Sequence, residues 1–295
     1  MIAGINPKSK IVRLNAHDKS KIQNCVTLPN PQPAFEQLLK QQRRQWYRTI
    51  VTWAIALLVI SVCCFLVGLW DKKRLWDGIP SILNLLHQML PPDFSDARNW
   101  VKPLFDTLAM SIAGTAIAIL FSMPLSLLAA RNTTPYPLLF QVSRLILNGL
   151  RSVPELIMGI IFVAAVGFGA LPGTLAVGFH SIGMVGKFFA EYIELVNEAP
   201  LEAARAAGAN KVQVIYHGIL PQVLPQMMDL TLYRWEYNFR ASTVMGAVGA
   251  GGIGFELIGA LRLINYREVS AVLLVILLMV ILVDGFSSYL RKRLV

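Results

Sequence analysis

From Thr49 to Trp70 the chain runs for 22 residues without an Asp, Glu, Lys or Arg. As a helix this stretch reaches about 33 Å, enough to cross a hydrocarbon core of roughly 30 Å. Lipid offers the backbone no hydrogen bonds, so a spanning segment of this kind must be helical. Thr107 to Ala130 is a second charge-free run, with Pro124 an expected kink. An apolar region from about 138 to 196 is too long for one span, and GFGALPG at 167–173 interrupts it, which predicts a helical hairpin. Residues 223–247 and Val269 to Leu290 supply a fifth and a sixth span. The expected fold is an all-α integral membrane protein of about six transmembrane helices. Residues 49–295 form the membrane domain and residues 1–48 a basic cytoplasmic head. Only 15% of the 295 residues are charged, against roughly 25% in soluble domains.

The net charge of +10 raises the question of nucleic acid, and the location of the charge answers it. The basic residues lie outside the apolar runs, with no zinc-finger spacing or aromatic RNA-binding signature beside them, so no nucleic-acid partner is expected. Cys25 stands alone and Cys63 and Cys64 are neighbours in an apolar run, which gives neither metal-ligand spacing nor a disulfide framework. Cytoplasmic loops are enriched in Lys and Arg. With the N-terminus inside, nine basic residues in the head, three at 131–151, two at 197–222 and three in the tail place 17 inside, against seven outside. Both termini are therefore expected in the cytoplasm.

Residues 197–222 form a polar, alanine-rich cytoplasmic loop, with EAARAAGANKVQVIYHGILPQ at 202–222. Alanines at 203, 204, 206 and 207 favour a short helix of low profile, Gly208 takes the turn that ends it, and a second short helix runs to Pro221. The loop resembles the cytoplasmic signature of ABC importer permeases, Glu-Ala-Ala, three residues, Gly, then a distal Ile-x-Leu-Pro. The match falls on Glu202, Ala203, Ala204, Gly208, Leu220 and Pro221. It departs at Gly218, where the signature has isoleucine. Over residues 90–295 the segments LPPDFS, GFHSIGMVGKFFAE, GANK, LYRWEYNFRASTV and MGAVGAGGIG look like the phosphonate importer permeases. The resemblance implies a type I importer permease fold in the inner membrane, surrounded by lipid and working as a homodimer with two ATPase subunits and a periplasmic or extracellular substrate-binding protein. It implies no cofactor in this chain, with ATP and Mg bound by the partner ATPase, and phosphonate, phosphite or hypophosphite as cargo. A methionine importer shares the same coupling signature, so the cargo stays open between these classes.

Gly249, Gly251 and Gly254 spell G-x-G-x-x-G, but no strand precedes them, so close helix packing or an outer turn is the expected role. No G-x-x-x-x-G-K-[ST] occurs, since Phe188 follows Gly186-Lys187, and the energy source is expected in another subunit. His180, Met184, Lys187 and Glu191 share one side of the fourth span, with Lys187 and Glu191 placed to pair at i,i+4. In the fifth span Glu236 is placed to pair with Arg240, whereas Arg234 has no acidic residue one turn away. Charges inside a bilayer face a protein interior or an aqueous path. Arg234, Glu236, Arg240, His180, Lys187, Glu191, Arg151 and Glu155 are therefore candidates for the translocation path or its gate, or for structural ion pairs. Arg151 and Glu155, flanking Pro154, read as an i,i+4 pair at a bend by the cytoplasmic mouth.

Two other classes compete. An intramembrane enzyme using His180 and Glu191 as acid and base meets the difficulty that eleven residues of helix separate them by about 16 Å. An ion-coupled secondary transporter would use Lys187 and Glu191 as a proton relay.

Overall fold

A computed structural model describes residues 31–294; most of the basic head, residues 1–30, and Cys25 with it lie outside the described residues. Every regular element among the described residues is helical. The chain divides into two units, 1–80 and 81–295. In the first, α1 (Pro31–Leu66) carries the Thr49 run. It begins well before that run and ends four residues short of Trp70, at Leu66, where Gly68 turns with φ 79°. Its apolar side chains, Trp53, Leu57 and Leu58 among them, point outward along its length, which suits a helix solvated by lipid. α2 (Lys72–Gln88) follows.

The second unit is a bundle around one helix. α3 (Ala97–Ala129), α4 (Pro137–Ser152), α5 (Glu155–Val166), α6 (Ala170–Glu194) and α8 (Leu220–Met245) make its body. α7 (Glu198–Ala206) lies between α6 and α8, and α9 (Ile253–Arg262) and α10 (Tyr266–Leu294) complete the chain. α6 is central and packs on α3, α4, α5 and α8. Its buried face is built of small residues, Gly173, Ala176, Gly178, Ser181, Gly183 and Gly186, which let neighbouring backbones come close. A Cβ at Gly183 would stand 2.6 Å from the Arg151 amide nitrogen and 2.7 Å from the Leu147 carbonyl oxygen of α4, so glycine is what seats α4 there.

Three helices are long and apolar enough to cross a membrane: the Leu39–Leu66 part of α1, α3 and α10. Two bent pairs bring the number to five if each is one span, against the expected six; α6, 25 residues and about 37 Å long, has the length of a span but not the apolar window of the other three. α4 and α5 meet at 89° across Val153 and Pro154, because proline disfavours helix in the residue before it and breaks the hydrogen-bond ladder. α8 is followed by a 43° bend into α9. In the predicted hairpin, Gly167 and Gly169 make the turn at φ 87° and 129°, whereas Leu171, Pro172 and Gly173 already belong to the first turn of α6, where proline is tolerated.

The LPPDF segment straps the start of α10. Asp93 N donates to the Arg267 carbonyl at 3.0 Å, Arg267 Nε to the Pro91 carbonyl at 3.0 Å, and Ser270 Oγ to the Met89 carbonyl at 2.6 Å. The Asp93 carboxylate accepts from the Ser95 amide, which holds its pKa below the ordinary carboxylate value. Behind the strap Trp100 packs with Ile253, Ala271 and Val272, and the Ile253 amide donates to Thr107 Oγ1 at 2.9 Å, tying α9 and α10 to α3.

Candidate functional site: the coupling elbow and the Arg234 cluster

The Glu202 loop forms a compact elbow. Asn197 caps α7, its side chain accepting from the Ala199 amide at 3.1 Å, and Gly208 ends it in the left-handed region at φ 83°, where a β-carbon would be strained. A capping box between Asn210 and Gln213 starts the return turn, which passes through a π-helical turn at Val214–Ile219 into α8. Glu202, Ala203, Arg205, Ala206 and Ala207 are exposed, giving a flat outward face, while Ala204 is turned partly inward. Leu220 and Pro221 form the first turn of α8.

Two residues absent from the sequence-level site hold the elbow in place. Leu201 is 2% exposed and lies against Gly218, where a β-carbon would stand in ordinary contact 3.4 Å from Leu201 Cδ1. Gln222 bridges the base: its Oε1 accepts from the Asn197 amide at 3.0 Å and its Nε2 donates to the Gly218 carbonyl at 2.7 Å. The elbow is thereby braced to the foot of α8.

A polar chain crosses the bundle through the middle of α3, α6 and α8. Trp235 Nε1 donates to Ser111 Oγ at 3.2 Å, Asn238 Nδ2 to Thr115 Oγ1 at 2.9 Å, Ser181 Oγ to Asn238 Oδ1 at 2.8 Å and Arg234 Nε to Ser181 Oγ at 3.1 Å. Arg234 is 5% exposed, and its guanidinium carbon stands 4.2 Å from the Tyr237 ring centroid, a cation–π contact. The Tyr237 hydroxyl donates to Glu155 Oε1 at 3.3 Å. His180 joins the same region, its Nδ1 3.1 Å from the Val153 carbonyl at the α4/α5 break. The structure therefore gathers Arg234, Glu155 and His180, which the sequence places on three helices.

The remaining predicted residues separate. Lys187 and Glu191 do pair, at 3.4 Å, and line a cavity of about 250 Å³ with Arg144 and Arg151. Glu236 and Arg240 do not pair with each other: both turn to α10, where Glu236 meets Arg291 and Arg240 meets Asp284 at 3.1 Å. The i,i+4 expectation for this pair fails because α10, packed along α8, offers opposite charges at the helix seam. Arg151 and Glu155 form no ion pair among the described residues, since the 89° bend between them removes the helical spacing that the pairing assumed. Among the described residues no three His, Cys, Asp or Glu side chains come together as a metal site.

The G-x-G-x-x-G segment is a close-packed turn, not a phosphate cradle. Gly249, Gly251 and Gly252 all have φ between 72° and 88°, and a Cβ on Gly254 would fall on the Thr243 carbonyl oxygen.

Residues 122–295 match the family of binding-protein-dependent transport system inner membrane components. The chain belongs to that family. It is 63% identical over 263 residues to the phosphite transport system permease protein PtxC of Stutzerimonas stutzeri, a match covering 89% of this chain and 96% of that one. It is 40% identical over 218 residues to the phosphate-import permease protein PhnE of Mycolicibacterium smegmatis, covering 74% of this chain and 41% of that one. The inward-facing MetNI methionine ABC transporter is similar in structure, with a TM-score of 0.58 at 22% identity, over 66% of this chain and 96% of that chain. At that identity the likeness is one of fold, and it gives the bundle the importer-permease architecture. The permease is a multi-pass inner-membrane transport subunit and not an enzyme.

The ion pairs between α8 and α10 were invisible in the permease's sequence, since Asp229, Asp284 and Arg291 lie dozens of residues from their partners. Glu236 is 8% exposed, and Arg291 also approaches Asp229 at 3.7 Å. Removing one partner of a buried ion pair costs about 3–5 kcal/mol because the other charge is left unpaired. Arg291→Met in the permease is therefore expected to lower the thermal midpoint of the purified protein clearly, and Glu236→Gln added to it to restore most of the loss. A double-mutant cycle on melting temperatures checks this; equal loss in the double variant would contradict the pairing.

Proposed function

We propose that this permease forms the translocation path of an ATP-driven importer for phosphite or a closely related phosphorus oxyanion, with phosphonate and hypophosphite in the same class. The observation that carries the substrate class is the 63% identity to a phosphite transport permease across 89% of the chain. The buried Arg234 agrees with it, because a guanidinium in a water-poor bundle attracts an oxyanion through charge-assisted hydrogen bonds. Two copies would enclose the path between them. A separate ATPase would bind ATP and Mg and take the flat face of the elbow, Glu202, Ala203 and the residues around Gly208, while a substrate-binding protein would deliver cargo on the opposite side. Both termini would face the cytoplasm, in keeping with the 17 to 7 division of basic residues.

Within this reading Arg234, Glu155 and His180 line the path, Lys187 with Glu191 and Arg151 lie about its cytoplasmic mouth, and Glu236 and Arg240 hold α8 against α10. The methionine reading has the fold in its favour, and Arg234 could meet an amino-acid carboxylate as well, so the phosphorus reading rests on the 63% identity rather than on the cluster.

Deleting the gene is expected to abolish growth on phosphite as sole phosphorus source and to leave growth on phosphate intact where a separate phosphate system operates. Growth of the deletion strain on phosphite at the parental rate would remove the assignment.

A further inference from the structure

The α4/α5 break brings together two opposite charges, each with an atom that nothing satisfies. Arg234 is 95% buried; its Nε is engaged by Ser181 and its plane lies on Tyr237, but Nη2 is buried without a partner. Glu155 is the first residue of α5, its Oε1 accepts from Tyr237 and its Oε2 is likewise buried without a partner. The two residues are within electrostatic reach, yet no ion pair joins them, because the Tyr237 side chain stands on both, ring to the cation and hydroxyl to the carboxylate. A buried polar atom without a partner is costly, and two such atoms on neighbouring groups of opposite charge suit a place prepared for a third party.

The helix geometry points the same way. α5 is a half-helix of 12 residues that starts after an 89° bend. At its start the Ile157 and Met158 amides donate to the Pro154 carbonyl, which leaves the Glu155 and Leu156 amides without an intrahelical acceptor at the positive end of the helix dipole. Discontinuous helices of this type present their N-termini to anionic substrates in membrane transporters. A simple anion would satisfy Arg234 and these amides but would repel Glu155. An anion that still carries a proton satisfies all of them.

We infer that the α4/α5 break is an intramembrane binding site for a singly protonated phosphorus oxyanion, with Arg234 Nη2 donating to a P–O oxygen and Glu155 Oε2 accepting from the P–O–H group. The inference rests on the proposed transport of phosphorus oxyanions and adds the site and its means of selection. Near neutral pH a minor share of phosphorus oxyanions still carries a proton, about one in ten for a phosphate ester with a second pKa of about 6, whereas sulfate carries essentially none. Glu155 therefore discriminates by repelling an anion that has no hydrogen to give. The site would make the permease itself selective, beyond any choice made by a binding protein.

The test uses the assembled permease–ATPase complex, solubilised without its binding protein, with inorganic phosphite as the probe and sulfate as competitor. Wild type is expected to bind phosphite with weak competition from sulfate. Arg234→Gln should weaken phosphite binding about tenfold or more, the loss of one charge-assisted hydrogen bond. Arg234→Lys, which keeps the charge but not the fork, is run beside it to guard against failed assembly and should also bind weakly. Glu155→Gln should retain phosphite binding while sulfate competes about tenfold better, since the carboxamide offers a donor and no charge. Absence of phosphite binding in wild type, or unchanged binding and unchanged sulfate competition in the variants, overturns the site. Uptake of phosphite by wild-type cells separates the two levels: if it persists while the variants behave as wild type, the site alone fails, and if wild type takes up none, the transport reading itself fails.

Discussion

Alanine at Gly254 is expected to remove most of the folded permease, while alanine at Gly259, five residues on in the same helix, leaves yield unchanged or raises it. A Cβ on Gly254 would fall on the Thr243 carbonyl oxygen, and one on the facing Gly246 would fall on the Phe255 amide. Neither obstacle is the end of a flexible side chain, so the α8 to α9 turn has to open. Overpacking that forces backbone to move costs about 1–3 kcal/mol and at times more, and a backbone collision belongs at the upper end. At Gly259 nothing lies within 4 Å, and alanine there gains roughly 0.5–1 kcal/mol of helix preference. Detergent-extracted yield and melting temperature of the two single variants measure the difference. Equal behaviour would mean that the glycines are not the packing contacts of this turn.

A bulky residue on the elbow is expected to leave the fold intact and stop transport. Ala203 is exposed on the flat face of α7, so Ala203→Trp meets no part of this chain, whereas Ala204 packs partly against the bundle and a large residue there would disturb the permease itself. A protruding indole would keep a partner's groove from closing over the helix. ATP-dependent uptake should fall by at least about tenfold, the consequence of losing 1.4 kcal/mol or more of docking energy. The melting temperature of the isolated permease should stay at the wild-type value. Uptake and ATPase co-purification both at wild-type levels would detach the elbow from coupling.

The sequence was most legible where chemistry is local. The charge-free run at Thr49, the alanines and Gly208 of the elbow, and the turn at Gly167 and Gly169 each depend on neighbours within a few residues, and each appears where local physics puts it. Lys187 and Glu191 paired for the same reason. Glu236 and Arg240 show where that reasoning ends: their i,i+4 spacing was sound, but α10 brought Arg291 and Asp284 from about fifty residues away and offered better partners. The Arg234 cluster was half legible. A lone arginine in an apolar span announced itself, but its neighbours Ser181, Tyr237 and Glu155 come from a helix crossing and a broken helix that no periodicity in the chain encodes. Leu201 and Gln222 went unnoticed because a single leucine and a single glutamine carry no pattern; only the π-helical turn between them reveals that they brace the elbow.

The central claim is that force from ATP hydrolysis enters through the elbow and moves a phosphorus oxyanion through the bundle. Proteoliposomes holding the permease with its ATPase and binding protein test it directly, with phosphite supplied on the binding-protein side and ATP or a proton gradient supplied alone in turn. Phosphite should accumulate with ATP inside and not with the gradient, and Ala203→Trp should abolish the accumulation. Accumulation driven by the gradient without ATP would contradict the account.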